Sequence, residues 1–231
     1  MKSLFLIMLS VFALFAQGES AIPFLLISPN SRSGGFGEAG TAMPESPAMV
    51  MHFNVGGLSC LANDGNEYQV KSDMPVDFSY ASWLPKLKLN DVWYAFAAGK
   101  FDLGKEDVIG YSLRYLNYGT VIYKQDAEGP ERPFDAKEFA LQAGYGTSWS
   151  EDLHLGVGIK YIYSGIVESG LSINLKNGTQ VSEPGHALAL DLGIIYDFGN
   201  FFDDGIQDVK FGASWHNLGP DISYVNDEQS D

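Results

Sequence analysis

The chain is poor in the residues on which many protein sites are built. It has one cysteine, Cys60, in 231 residues, which excludes an internal disulfide framework and any Cys-rich zinc or iron–sulfur centre. Lys and Arg total 14 against 29 Asp and Glu, a formal charge of −15. Nucleic-acid binding of the ordinary kind needs clustered cations to neutralise phosphate, so that class is excluded. Beyond residue 20 no apolar run approaches the ~20 residues of a membrane-spanning helix. Gly-x-Ser-x-Gly, His-Glu-x-x-His and P-loop motifs are all absent. The adjacent acids Asp203-Asp204, with Asp208 further on, and the tail pair Asp227-Glu228 lack the spacing of a calcium loop. The expectation is a protein with no catalytic residue, no metal site and no cofactor.

What is present is 45% hydrophobic residues, 13% aromatics and 26 glycines. That is too apolar for a disordered acidic chain and fits a Gly- and aromatic-rich β protein. Residues 1–20 read as a signal peptide: Met1-Lys2, an apolar run from Ser3 to Phe15, then small residues at Ala16 and Gly18. A buried N-terminal helix is the alternative. Export out of the cytoplasm follows from the first reading, and any membrane crossing must then be made by strands.

The remainder alternates with period two. Leu153, Leu155, Val157, Ile159, Tyr161 and Tyr163 are separated by His154, Gly156, Gly158, Lys160 and, as the one apolar interruption, Ile162. The same pattern recurs over Phe139–Tyr145, Leu188–Phe198, Val209–Trp215 and Ile109–Tyr115, and more weakly over Val92–Phe101 and Pro75–Trp83. Such runs match tilted transmembrane strands, for which ~9–11 residues suffice. The face opposite the apolar one is rich in Gly, Ala and Ser, whereas a soluble sandwich would carry more Lys, Glu and Thr there. Aromatics near strand ends (Trp83, Trp93, Tyr115, Tyr118, Tyr161, Tyr163, Tyr196, Phe198, Trp215) suit a girdle at the lipid interface. Tight links such as 149–152 alternate with long ones at 124–136 and 165–186, the asymmetry of an outer-membrane barrel.

The fold class expected is therefore all-β, an antiparallel outer-membrane β-barrel formed by residues 61–231. About seven strands are legible, so either weak strands close a small barrel or the wall is only part of a larger one. Residues 21–60 do not alternate; they are Gly-rich yet open with Ile22-Pro23-Phe24-Leu25-Leu26-Ile27. A segment packed in or under the lumen fits that composition, with room left by Gly156, Gly158, Ala187, Ala189, Gly193 and Gly212. Read as an open pore, the lumen would be lined by Arg114, Lys160, Asp191, Asp197 and Lys210. His154 and His216 fall on the inner face, near Ser148 and Ser214 in sequence, where a Ser–His hydrolase pair or plain polar lining are the two readings. Cys60 reads as a small buried residue.

Four stretches carry a family resemblance: Ala21–Ala42, Trp83-Leu84-Pro85, Tyr111-Ser112-Leu113-Arg114-Tyr115-Leu116, and Asn217-Leu218-Gly219-Pro220-Asp221-Ile222-Ser223-Tyr224. They resemble the PorV/PorQ family of outer-membrane barrels of the type IX secretion system, and PorV most closely. The chain is more distantly similar to the FadL group of fatty-acid transporters, whose Asn-Pro-Ala-Gly-Leu motif is here Asn54-Val55-Gly56-Gly57-Leu58. The resemblance implies a FadL/PorV-like barrel, commonly of fourteen strands, and with it the expectation that the C-terminal part is missing here or that this copy is degenerate. It implies a non-enzymatic role: docking at the type IX translocation channel and carrying cargo proteins with C-terminal signal domains to a surface sortase. Outer-membrane lipid is the other expected partner. The partner-binding residues expected lie on the long loops: Gln125, Asp126, Glu128, Glu131, Arg132 and Asn177. A FadL-like transporter of fatty acids or other hydrophobic compounds and a passive porin are the alternative functions.

Overall fold

A computed structural model describes residues 22–62, 76–83, 91–124, 129–170, 172–175, 178–199 and 209–227. The expected signal peptide lies outside the described residues.

Seven strands form one antiparallel meander. They are β1 (Val76–Ser82), β2 (Trp93–Asp102), β3 (Asp107–Tyr123), β4 (Arg132–Ser148) and β5 (Leu153–Gly165), followed by β8 (Gly185–Asp197) and β9 (Lys210–Leu218). Among the described residues β1 and β9 are not paired with each other, so the wall is an open one. Between β5 and β8 the chain adds β6 (Ser172–Leu175) and β7 (Gly178–Ser182), and β10 (Val225–Asp227) returns to pair with β7 in a second, three-stranded sheet. The stretch 165–186 expected as a loop thus holds a hairpin. Likewise β4 already begins at Arg132, which shortens the 124–136 loop at its C-terminal end.

Exposure decides between barrel and sandwich. Along β8 the apolar series faces outward, with Leu188 58% and Leu190 48% exposed, while the alternate residues Ala189 and Asp191 are 4% and 0% exposed. Outward Leu113, Leu141, Val157, Ile159 and Trp215 alternate in the same way with inward Ser112, Arg114, Gln142 and Lys160, all buried. A water-soluble sheet would have the opposite polarity. Thirteen-residue strands such as β5, tilted as barrel strands are, span the ~25 Å apolar band of an outer membrane. Ile162, the apparent interruption, is a buried member of the inner face.

The aromatic rows follow from the register. Tyr115, Phe139, Tyr163 and His186 are successive cross-strand partners over β3, β4, β5 and β8. Trp93 stacks on Tyr115 at 5.0 Å and Phe139 on Tyr163 at 4.9 Å. Tyr118 departs from the expected girdle: its hydroxyl donates to the buried carboxylate of Glu138, 2.5 Å away. Connections at one rim are tight and knitted, as where Leu103 N–H donates to Asp107 O and Trp149 N–H to Leu153 O, both at 2.8 Å.

The N-terminal segment lies on the inner face as a plug. It comprises a 3-10 turn Pro23–Leu26, a short helix Ser31–Gly35, a helix Pro47–Phe53 and a 3-10 helix Val55–Leu61. Asn30 caps the first of the α-helices through Ser33 N–H. The second has no cap from Ser46 but receives one from the wall, Asp77 accepting the Ala48 N–H at 2.8 Å. The hydrophobic core lies between plug and wall: Phe24, Met51 and Leu58 from the plug meet Phe96, Ala98 and Val108 from the wall. No helix among the described residues is long and apolar enough to cross a membrane.

Candidate functional site

The inner face gathers polar groups that the alternation left buried. Asp191 on β8 is the hub. Its Oδ2 accepts from Gln142 Nε2 at 2.7 Å and pairs with Lys160 Nζ at 3.0 Å, and its Oδ1 accepts the Asn217 N–H at 2.8 Å. Lys160 Nζ also donates to Asn217 Oδ1 at 2.7 Å, and Ser112 Oγ donates to Gln142 Oε1. Asn217 needs this support, because it holds a left-handed φ of 57° at the end of β9. A buried charge is tolerable only when paired and hydrogen-bonded, and here all strands from β3 to β9 in the wall share one network.

From that network contacts run into the plug. His216 Nδ1 lies 3.5 Å from Asp191, while its Nε2 sits 2.8 Å from the Phe53 carbonyl oxygen. Arg114 donates to the Leu25 carbonyl and to His52 Nδ1, with its guanidinium 5.2 Å from the centre of the Phe96 ring. His52 thereby serves as an acceptor. Its packing in the lumen, and then the neighbouring Arg114 charge, hold its pKa well below the ordinary imidazole value. Asn54 is satisfied three times: its Nδ2 donates to Thr41 O at 2.8 Å and Ile194 O at 2.9 Å, and its Oδ1 accepts Gly56 N–H at 3.0 Å.

Small residues let the plug touch wall backbone. A Cβ on Gly156 would overlap the Val55 carbonyl, and one on Gly193 would overlap Asn54. One on Gly56 would lie 2.7 Å from the Gly193 carbonyl carbon. Of the small positions expected to make room, Gly156, Gly193 and Gly212 are direct contact points; Gly212 meets Thr41.

The charged residues read as pore lining are arranged differently. Arg114, Lys160 and Asp191 are buried in the network above, and Asp197 pairs with Lys210 near the tight-turn rim. Of the Ser–His combinations, Ser148 Oγ does meet His154 Nδ1, at 3.0 Å, but Ser59 Oγ from the plug meets the same nitrogen at 3.0 Å. Two hydroxyls thus share one ring nitrogen, and among the described residues no carboxylate lies within ion-pair distance of His154. His216 turns to Phe53, not to Ser214. Cys60 is half-buried, and burial pushes its thiol up to about 12, which keeps it a poor nucleophile. Among the described residues no group of His, Cys, Asp and Glu could hold a metal.

Of the loop residues singled out from sequence, Gln125, Asp126, Glu128 and Asn177 lie outside those described. Glu131 forms an exposed ion pair with Lys124 at 3.2 Å, and Arg132 opens β4 opposite Tyr123. Beyond the last wall partners, Trp93 for Asn117 and Gly165 for Lys137, β3 and β4 continue together as a two-stranded arm. At its root Gly119, with φ of 77°, makes a bulge where a Cβ would overlap Asp91. The arm and its bulge were missed in the sequence; Asn117-Tyr118-Gly119, where the alternation changes phase, was the signal available.

An antiparallel wall with lipid-compatible residues outside, a paired polar network inside and a plug against that network defines an outer-membrane β-barrel protein. A family model described as type IX secretion system protein PorV matches residues 17–231. The chain belongs to the PorV family and is an outer-membrane protein of the type IX secretion system. No curated protein matches its sequence.

Proposed function

We propose that this protein is a non-enzymatic docking barrel, sitting beside the type IX translocation channel and passing cargo with C-terminal signal domains to the surface sortase. Family membership supports the setting, and the β3–β4 arm is the observation that carries the docking role. It stands on the rim of the long connections, which in outer-membrane barrels is the extracellular one. A two-stranded ribbon is marginally stable by itself in water, yet this one exposes Ile122 to 64% beside exposed Pro133. An apolar tip flanked by Lys124, Glu131 and Arg132 has the composition of a protein-contact surface. Gln125, Asp126, Glu128 and Asn177 extend the proposed partner surface, while the apolar outer wall faces lipid. Export by the N-terminal signal peptide is part of the same proposal.

The test is a cross-linked, gently solubilised pull-down from the native outer membrane, comparing the wild-type chain with Ile122→Asp. Recovery of a large translocation barrel, a sortase or proteins sharing a C-terminal domain, reduced by the substitution, is expected. Recovery of lipid alone, with no protein partner, would overturn the docking role.

A further inference from the structure

We infer that the segment 22–62 is a fixed seal, and that the barrel works with this plug in place and its lumen closed. A gate must detach at small cost, so its contacts to the wall should be few, water-replaceable and confined to one end. Here they are distributed and mutually dependent. Wall side chains reach plug backbone at several separate places, among them Arg114 to the Leu25 carbonyl, Ser79 to the Pro29 carbonyl, Asp77 to the Ala48 N–H, and His216 to the Phe53 carbonyl. Another tie runs the other way, from the Asn54 side chain to the Ile194 carbonyl, and a further one joins Ser59 to His154. These anchors come from β1, β3, β5, β8 and β9, so no single strand movement frees the plug.

The seam has no clearance for sliding either. At Gly56–Gly193 and Val55–Gly156 two backbones meet with no side chain between them, and Leu58 sits over Gly110, Gly144 and Gly146. Bulky groups on either side would have to shift for the plug to move along the wall, as interiors packed to this density do not deform smoothly. Withdrawal would also leave the Asp191–Lys160–Gln142 cluster and Arg114 without their cover. His216 would lose the plug carbonyl that its Nε2 meets, and Arg114 two of its acceptors. Unmaking several such bonds together, those to charged groups above all, makes the undocked state rare.

The native Cys60, at the end of the plug and the one cysteine in the sequence, reports on detachment without any substitution. The full chain in membrane nanodiscs is followed by hydrogen–deuterium exchange and by maleimide labelling of Cys60. For the wild type, amides 54–61 exchange as slowly as those of β4 and β5. Asn54→Ala is expected to raise both exchange over 54–61 and the Cys60 labelling rate by about tenfold or more, the effect of losing one to two net hydrogen bonds, with β4 and β5 still protected. Exchange of 54–61 in the wild type as fast as the Asp102–Asp107 turn, against protected strands, would overturn the seal. So would steady ion conductance of the wild-type protein in planar bilayers. His216→Gln is the second variant, used if Asn54→Ala does not fold, and is expected to act in the same direction.

Discussion

The strands β3 and β4 belong to two different environments along their length, and the contrast shows what each part is for. Below Asn117 and Lys137 they lie between neighbours β2 and β5, their inner face is buried against the plug, and every inward charge has a partner. Above, the same two strands stand free of β2 and β5, and Ile122 and Pro133 are exposed with no lipid-facing row to continue. The lower part is over-determined: three or more contacts converge on single residues such as Asn54 and Asp191. The upper part is held at its root by the Gly119 bulge, where Asp91 Oδ2 accepts the Thr120 N–H. Stability is concentrated in the first region, and the second carries the surface proposed for partner contact.

Substitutions should separate the two regions, and their effects can be ranked. Asp191→Ala is expected to cost the most, about 3–5 kcal/mol, because it strands Lys160 as an unpaired buried cation; denaturant unfolding in micelles measures it, and a loss under 1 kcal/mol would mean the hub is solvated. Leu190→Arg, on the lipid side of the same strand, should cost about 2–4 kcal/mol if the residue lies near the bilayer midplane. That loss should disappear for the same change at exposed Ile122, and equal losses at the two sites would erase the distinction drawn between wall and arm. Gly193→Val forces the plug off the wall backbone and should cost about 1–3 kcal/mol, detected as a lower unfolding midpoint. The smallest effect expected is pH-dependent. His52 has a folded pKa below its ordinary 6.5, so the detached plug binds the proton more readily. Stability from this residue is therefore complete above about pH 6.5 and declines as the pH falls toward the folded value. Arg114, His216 and Lys160 oppose that proton and Asp191 favours it. Protection over 50–53, corrected for the slower intrinsic exchange at lower pH, should fall between pH 7 and 5, and His52→Gln should remove that fall.

Much of the wall was legible because lipid outside and plug inside impose a strict period of two. Leu153–Ser164 was readable almost to its observed bounds, and β8 and β9 to within a few residues. β4 was read seven residues short at its start, mostly because residues 132–136 lie on the arm, where no lipid enforces alternation. β6, β7 and β10 had no signal for a similar reason. The mixed signs of Arg114, Lys160 and Asp191 looked uninformative along the sequence; mixed signs are what mutual pairing requires, and only the register shows that Asp191 and Lys160 lie side by side. Asn54 could be picked out as part of a motif, but its reach to Ile194 depends on the fold.

The plug's anchors also fix an order of assembly. The meander joins strands that are neighbours in sequence, so its ladders can form progressively, hairpin by hairpin. Asn54 instead bonds a carbonyl 140 residues away, and Phe53 a histidine 163 residues away. Those bonds cannot exist until β8 and β9 have been laid down. The N-terminal segment, although made early, therefore locks late, and its locking is a checkpoint that reports a wall built as far as β9.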